Sequence, residues 1–195
     1  KNLGSDNDIL MALRCKIGVT EETAHALSKV AAMMLVEENI ATLIENQGLQ
    51  WLLDAMKLAV AAPFSEVSAR IMVSGSHALN RMCIDEQKIY AIMQAGGVSV
   101  LMSIVANHAQ DENVLVAALQ AIARTITRKE NAEFILKYGV MTTVATARQM
   151  HPESARIALP CADICERMAR HHVLHVQLID QNICGVIKDM LTAFM

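Results

Sequence analysis

Ala78-Leu79-Asn80-Arg81-Met82-Cys83, followed after a short amphipathic stretch by Ala95-Gly96-Gly97-Val98-Ser99-Val100-Leu101-Met102, is the pattern that decides the fold, because weaker copies of it run along most of the chain. Four glycines open apolar stretches: Gly48 before Leu-Gln-Trp-Leu-Leu, Gly97, Gly139 before Val-Met-Thr-Thr-Val, and Gly185 before Val-Ile-Lys-Asp-Met-Leu. Their separations of 49, 42 and 46 residues belong to solenoids built from two or three helices per repeat. Each glycine follows a short amphipathic segment (40–46, 89–95, 132–138 and 176–184), where a left-handed cap ends one helix and turns the chain into the next.

A second anchor precedes each glycine: Ala26-Leu27-Ser28-Lys29-Val30-Ala31, Ala78 to Cys83, Ala118-Leu119-Gln120-Ala121-Ile122-Ala123, and Ile164-Cys165-Glu166-Arg167-Met168-Ala169. Small and medium apolar residues fall here at the three- and four-residue spacing of a buried helix stripe, and alanine lets neighbouring helices approach closely. Each unit therefore reads as a short helix, a glycine-started second helix and a longer third helix. Units are expected at 37–84, 85–128 and 129–170. A partial unit at 1–36, with helices near 7–16 and 20–36, precedes them, and a partial unit at 171–195 follows. Beginning and ending inside the pattern, with Lys1 first, the chain reads as a single repeat domain from a longer protein. Phe194-Met195 at the end then calls for either a packed cap or more sequence, since terminal repeats need a polar outer face.

These residues resemble the armadillo repeat over roughly 18–195. The family's second helix opens Gly-Gly-hydrophobic-x-x-Leu, as Gly96-Gly97-Val98-Ser99-Val100-Leu101 does, and its third helix carries an Ala-x-x-Ala-Leu-x-Asn-Leu-like core. The resemblance implies an all-α, right-handed α-solenoid superhelix whose third helices line a concave groove. In the family an asparagine on each third helix holds the backbone of an extended peptide, and a tryptophan four residues earlier packs its side chains. The matching positions here are Lys29, Arg81, Ala121 and Arg167 for asparagine, and His25, His77, Ala117 and Asp163 for tryptophan, so both ladders are missing.

Three of the four asparagine positions are cationic instead. Residues i and i+4 share a helix face, so His25 with Lys29 and His77 with Arg81 point the same way, and Arg124 and Arg170 extend the strip. The expectation is a protein or peptide partner, acidic, held in a basic groove. Against it stands pairing within the fold: Asp163 lies one turn before Arg167 and Asp85 one turn after Arg81. The alternative function is an oligomerisation or regulatory domain of a larger protein, including control of an enzyme by an anionic ligand.

Composition narrows the classes. Hydrophobic residues make up 53% and aromatics only 3%, while methionine reaches 13, so the core is built from small and flexible side chains. Few aromatics argue against a stacking platform for single-stranded nucleic acid, and a net charge of −3 gives no bias toward phosphate backbones, so no nucleic acid is expected. No apolar run approaches the roughly 18 residues a membrane crossing needs. The odd cysteine count (Cys15, Cys83, Cys161, Cys165 and Cys184), with several on apolar faces, reads as free thiols in a reducing cytoplasmic or nuclear setting.

No phosphate-cradling loop, nucleophile elbow or His-Glu-x-x-His pair occurs, so no enzyme activity and no cofactor are expected. His171, His172 and His175 near Cys161, Cys165 and Cys184 match no zinc-finger spacing and read as an inter-repeat turn, with no metal site. Trp51 and the methionines at 33, 34, 56, 72, 82, 93, 102, 141 and 168 are assigned to the core. Pro63 with Ser65, and Pro152 with Ser154, read as stop-and-cap pairs. Pro160 should kink a third helix or mark a later start, and Gly75 costs roughly 1 kcal/mol against alanine unless close packing requires it.

Overall fold

The computed structural model describes residues 17–192, and every regular element among them is helical. In chain order these are α1 (Glu21–Met33), α2 (Glu37–Glu45), α3 (Gly48–Ala61), α4 (Glu66–Met82), α5 (Glu86–Gln94), α6 (Gly97–Asn107), α7 (Glu112–Thr125), α8 (Lys129–Lys137), α9 (Val140–Met150) and α10 (Ala155–Ala169). A single 3-10 turn (His172–Leu174) then leads into α11 (His175–Asp180) and α12 (Ile183–Thr192). The helix expected near 7–16, Cys15 and Phe194-Met195 lie outside the described residues.

Each short helix ends in the same way. Gln47, Gly96, Gly139 and Asn182 all have positive φ, at 61°, 86°, 87° and 60°. Each donates its N–H to the carbonyl three residues back, at Ile44, Met93, Leu136 and Ile179. The residue before each donates four residues back, to Thr42, Ala91, Phe134 and Gln177. These bonds satisfy carbonyls that a helix C-terminus otherwise leaves open, and the left-handed residue sends the chain into the second helix.

This corrects the glycine alignment. The turn is made at Gly139 itself, but at Gly96 rather than Gly97, at Gln47 rather than Gly48, and at Asn182, while Gly185 is the third residue of α12. Gly97 is needed for a different reason: a Cβ there would stand 2.9 Å from the Ile92 carbonyl oxygen.

The third helices α1, α4, α7 and α10 start on Thr20, Ser65, Asp111 and Ser154, whose side chains each accept the N–H three residues on. Gly75 in α4 lies against Met56 of α3, where a Cβ would come within 2.5 Å of the methionine Cγ and Sδ, so close packing accounts for the glycine. Pro160 neither delays nor ends α10, which runs continuously from Ala155 to Ala169 around it. What proline removes is one N–H, the one that would have bonded to the Arg156 carbonyl.

The chain divides into two compact units between Val100 and Leu101. In the first, α4 lies along α1 and also packs on α3. Bonds between α1 and α4 join Glu21 to Arg70 (2.6 Å), Ser28 to Ser74 (2.9 Å) and Ala31 to Arg81. Their partners are 46 to 50 residues apart, about the 49 that separate Gln47 from Gly96. In the second, α10 lies along α7. There the partners are 42 to 44 residues apart: Ala109 with His151 (2.8 Å), Glu112 with Ser154 and Arg156, and Asn113 with Arg156 (2.9 Å). Gly139 and Asn182 are 43 apart, so within each unit successive third helices run parallel, one repeat out of step.

The core is the apolar side predicted, with Leu27, Val30, Leu52, Met56, Met72, Leu79 and Met82 buried in the first unit, and Leu119, Ile122, Val144, Cys161 and Met168 in the second. Met33 and Met93 are only half-buried, as is Trp51.

The four left-handed turns give a direct stability test. Gln47→Gly should raise stability by about 1 kcal/mol because it removes left-handed strain. Gly139→Ala should lower it by about the same amount. Urea unfolding followed by circular dichroism reads both, and equal midpoints for the two variants would contradict the turn assignment.

Candidate functional site

The predicted cations divide between the two units. On α1, His25 and Lys29 are exposed one turn apart. On α4, His77 and Arg81 are half-buried one turn apart. Arg81 Nη1 donates to the carbonyl of Ala31 on α1, so one of its five N–H donors ties the two helices together. Burial, and then the Arg81 charge, hold His77 below the ordinary histidine value of 6.5. Asp85 does not neutralise Arg81. It lies past the end of α4, accepts the Lys88 N–H at 2.9 Å as the cap of α5, and pairs with the Lys88 ammonium, which also stands 3.7 Å from Glu37.

In the second unit, Arg124 is exposed in the last turn of α7. On α10, Arg167 Nε donates to Asp163 Oδ1 at 2.6 Å, and Arg170 Nε donates to Glu166 Oε1 at 2.9 Å. Both are i,i+4 pairs along one helix, and pairs this open to solvent contribute about 0–1 kcal/mol each. Among the described residues Lys29 and Arg124 have no ion-pair partner. Pairing within the fold therefore holds for Arg167 and Arg170, while Arg81 bonds a carbonyl instead.

The turns also change which cations correspond. Arg81, Arg124 and Arg167 precede Gly96, Gly139 and Asn182 by one and the same interval, so they occupy a single register position. Lys29 lies one helical turn further ahead of its own left-handed residue, Gln47, and corresponds to Ala78, Ala121 and Ile164. Counted from the left-handed residues, the register differs from the sequence alignment by one helical turn between alternate repeats. Corrected, it makes the arginine row regular, with Arg124 midway in sequence between Arg81 and Arg167, and removes Lys29 from it.

One charged residue escaped the sequence reading. Arg148 of α9 is buried, at a register position held by Met56 and Val105 in the preceding repeats. Its guanidinium donates to the carbonyls of His151, Pro152 and Ser154, fastening the loop into α10. Carbonyl partners leave no pattern among side chains, and the only signal was an arginine on an apolar face.

The histidine and cysteine cluster is dispersed. His175 Nε2 bonds the Ala169 carbonyl at 2.8 Å near the end of α10, and its ring meets His172 edge-on with centroids 5.0 Å apart. Among the described residues no group of three or more His, Cys, Asp or Glu could hold a metal ion. Burial, with Cys165 close by, pushes the Cys161 thiol up to about 12, and burial pushes Cys165 up to about 11. Cys83 is also buried and Cys184 is exposed.

Two measurements check these environments. At pH 8 the native protein should alkylate at Cys184 while Cys83, Cys161 and Cys165 stay unmodified until denaturant is added, as mass spectrometry of digests would read. A native protein modified at Cys161 would contradict the buried-thiol assignment. Separately, an unfolded chain binds a proton at His77 more tightly than the folded one. Stability should therefore fall as pH drops through and below about 6.5, and His77→Gln should flatten that part of the profile in urea titrations at stepped pH.

The chain matches the family described as the GAC ARM domain over residues 14–169, four-fifths of its length. A comparison with curated proteins found no match. No single helix among the described residues is long and apolar enough to cross a membrane. With three-helix repeats, the recurring left-handed turn and the family match in agreement, the chain belongs to the GAC ARM domain family, an armadillo-repeat family whose fold points to protein interaction or scaffolding.

Proposed function

We propose that this domain is a non-catalytic scaffold, wound as a right-handed superhelix, that binds an acidic segment of a protein partner through cations of its third helices. The observation that carries the reading is the arginine row. Arg81, Arg124 and Arg167 recur at one register position, near the C-terminal ends of three successive third helices. Within the second unit α10 lies along α7, so a carboxylate-rich segment could meet Arg124 and Arg167 in turn, and Arg81 holds the equivalent position in the first unit. Arg81 and Arg167 each spend one N–H on the bond described above, and a guanidinium has five, so both keep donors for a ligand while those bonds hold them in place. His77 sits one turn before Arg81, and Asp163 orients Arg167. Lys29 on α1 and Arg170 at the end of α10 add positive charge, and His25 lies one turn before Lys29, without sharing the arginine position.

Magnitude sets what such a row can do. A charge-assisted bond in a desolvated site contributes about 1.5–3 kcal/mol and a solvated pair about 0–1 kcal/mol, so desolvated contacts at Arg124 and Arg167 within the second unit can favour an acidic partner where wet ones cannot. The free thiols among the described residues fit work inside the cell, in cytoplasm or nucleus.

The test uses a fluorescein-labelled oligoglutamate peptide and fluorescence anisotropy at low ionic strength. Arg124→Glu combined with Arg167→Gln should leave the circular dichroism unchanged and weaken binding by at least about a hundredfold. Undiminished affinity in the folded double variant would refute the row as a binding site.

A further inference from the structure

Apart from Glu112 in its first turn, α7 leaves four side chains wholly or partly open, those of Asn113, Val116, Gln120 and Arg124, and the rest of the helix is buried. Spacings of three, four and four residues put them on one helix face. The turn register gives each a counterpart in α10, so that Arg156 matches Asn113, Leu159 matches Val116, Asp163 matches Gln120 and Arg167 matches Arg124. α10 lies along α7, and Arg156 reaches from its own row to Asn113 at 2.9 Å and to Glu112 at 3.3 Å, so the rows match in space as well as in register.

The two ends of this face differ in chemistry. At the start of the helices the charge of Arg156 is answered by Glu112. At the far end Arg124 has no ion-pair partner among the described residues, and Arg167 keeps donors beyond its bond to Asp163. Between the Arg156 row and the Asp163 row stand Val116, half-buried, and Leu159, 72% exposed. A lone exposed leucine is ordinary. Here, however, an aliphatic residue recurs at one position of an otherwise polar stripe, and Val73 holds the same position between Arg70 and His77 in the first unit. Eight residues of helix, about 12 Å, separate this position from the arginine row.

We propose that the segment bound at the arginine row carries an apolar determinant as well as acidic ones: an extended partner segment lays its carboxylates on Arg124 and Arg167 and an aliphatic side chain on Val116 and Leu159. This specificity rests on the acidic segment proposed above and adds to it. An extended chain covers about 12 Å in about four residues, which sets the interval between the aliphatic side chain and the nearest carboxylate. The residues between them are neutral, since a carboxylate there would meet that of Asp163.

The probes are two fluorescein-labelled peptides, Leu-Ser-Gly-Ser-Glu-Glu-Glu-Glu-Ser-Gly-Ser-Leu and the same peptide with alanine for both leucines, the matching ends serving either chain direction. In anisotropy titrations at low ionic strength the leucine peptide should bind at least about fivefold tighter than the alanine peptide. Leu159→Ser, at an exposed position, should erase that difference and leave the affinity for the alanine peptide unchanged. Equal binding of the two peptides, or a difference that survives Leu159→Ser, would overturn the aliphatic contact and leave the acidic reading standing. Failure of both peptides to bind would overturn the two together. A concentration-dependent dimer lost in Leu159→Ser would also overturn the proposal, since a second copy would then be the occupant.

Discussion

Everything regular in this chain follows from the pair of backbone hydrogen bonds that closes each short helix on a left-handed residue. The span from the last residue of a third helix to that turn is the same from Met33 to Gln47, from Met82 to Gly96 and from Thr125 to Gly139, and it is shorter by a single residue from Ala169 to Asn182. A connection of nearly constant length, closed by the same pair of bonds on a left-handed residue, leads into each second helix. The interhelical bonds then fall one repeat apart without being separately specified. Variation is pushed to the other side of the repeat. The path from the turn to the third-helix cap is equally long from Gly96 to Asp111 and from Gly139 to Ser154, but nearly one helical turn longer from Gln47 to Ser65.

That division explains how far the sequence could be read. The helical class, the three-helix grouping and the armadillo resemblance rest on apolar periodicity, which is a property of many residues at once and survives local exceptions. The exact register rests on one residue per repeat, and there chemistry is degenerate. Glycine, asparagine and, at a cost, glutamine can all take a left-handed conformation, so aligning glycines alone misplaced the turn at Gln47 and Asn182. The serine caps at Ser65 and Ser154 were easier, because an oxygen three residues ahead of a free N–H is a local arrangement.

The candidate site was read less completely for a related reason. Charges at helical spacing could be listed from the sequence, but their partners depend on which carbonyl or carboxylate the neighbouring helix presents. Arg81 reaches a backbone carbonyl 50 residues earlier, and no side-chain pattern announces that. Arg167 pairs with Asp163 along its own helix, which spacing did announce, and Arg170 pairs with Glu166 at the same spacing, which the sequence reading had not singled out. Arg148 is the extreme case. A buried guanidinium is tolerable only because carbonyls of the following loop surround it, so the loop's conformation and the arginine's burial are one fact.

The same register separates charge that stabilises from charge that is free to recognise. A cation in the last turn of a helix complements the partial negative charge of the open carbonyls there, an effect of about 0.3–1 kcal/mol that would favour arginine at Arg81, Arg124 and Arg167 with no ligand at all. Dipole stabilisation alone, however, is indifferent to register within the final turn and to the choice between lysine and arginine. Three arginines at one position in three consecutive repeats, two of them held by bonds that fix the guanidinium plane, are more specific than the dipole requires. In the first repeat that position is Ala32, and the cation there is Lys29, one turn earlier on a face whose other exposed members are Glu22 and His25. Mixed charge of that kind hydrates an exposed helix face, whereas an arginine repeated at one position has more donors than its neighbouring carbonyls and carboxylates engage.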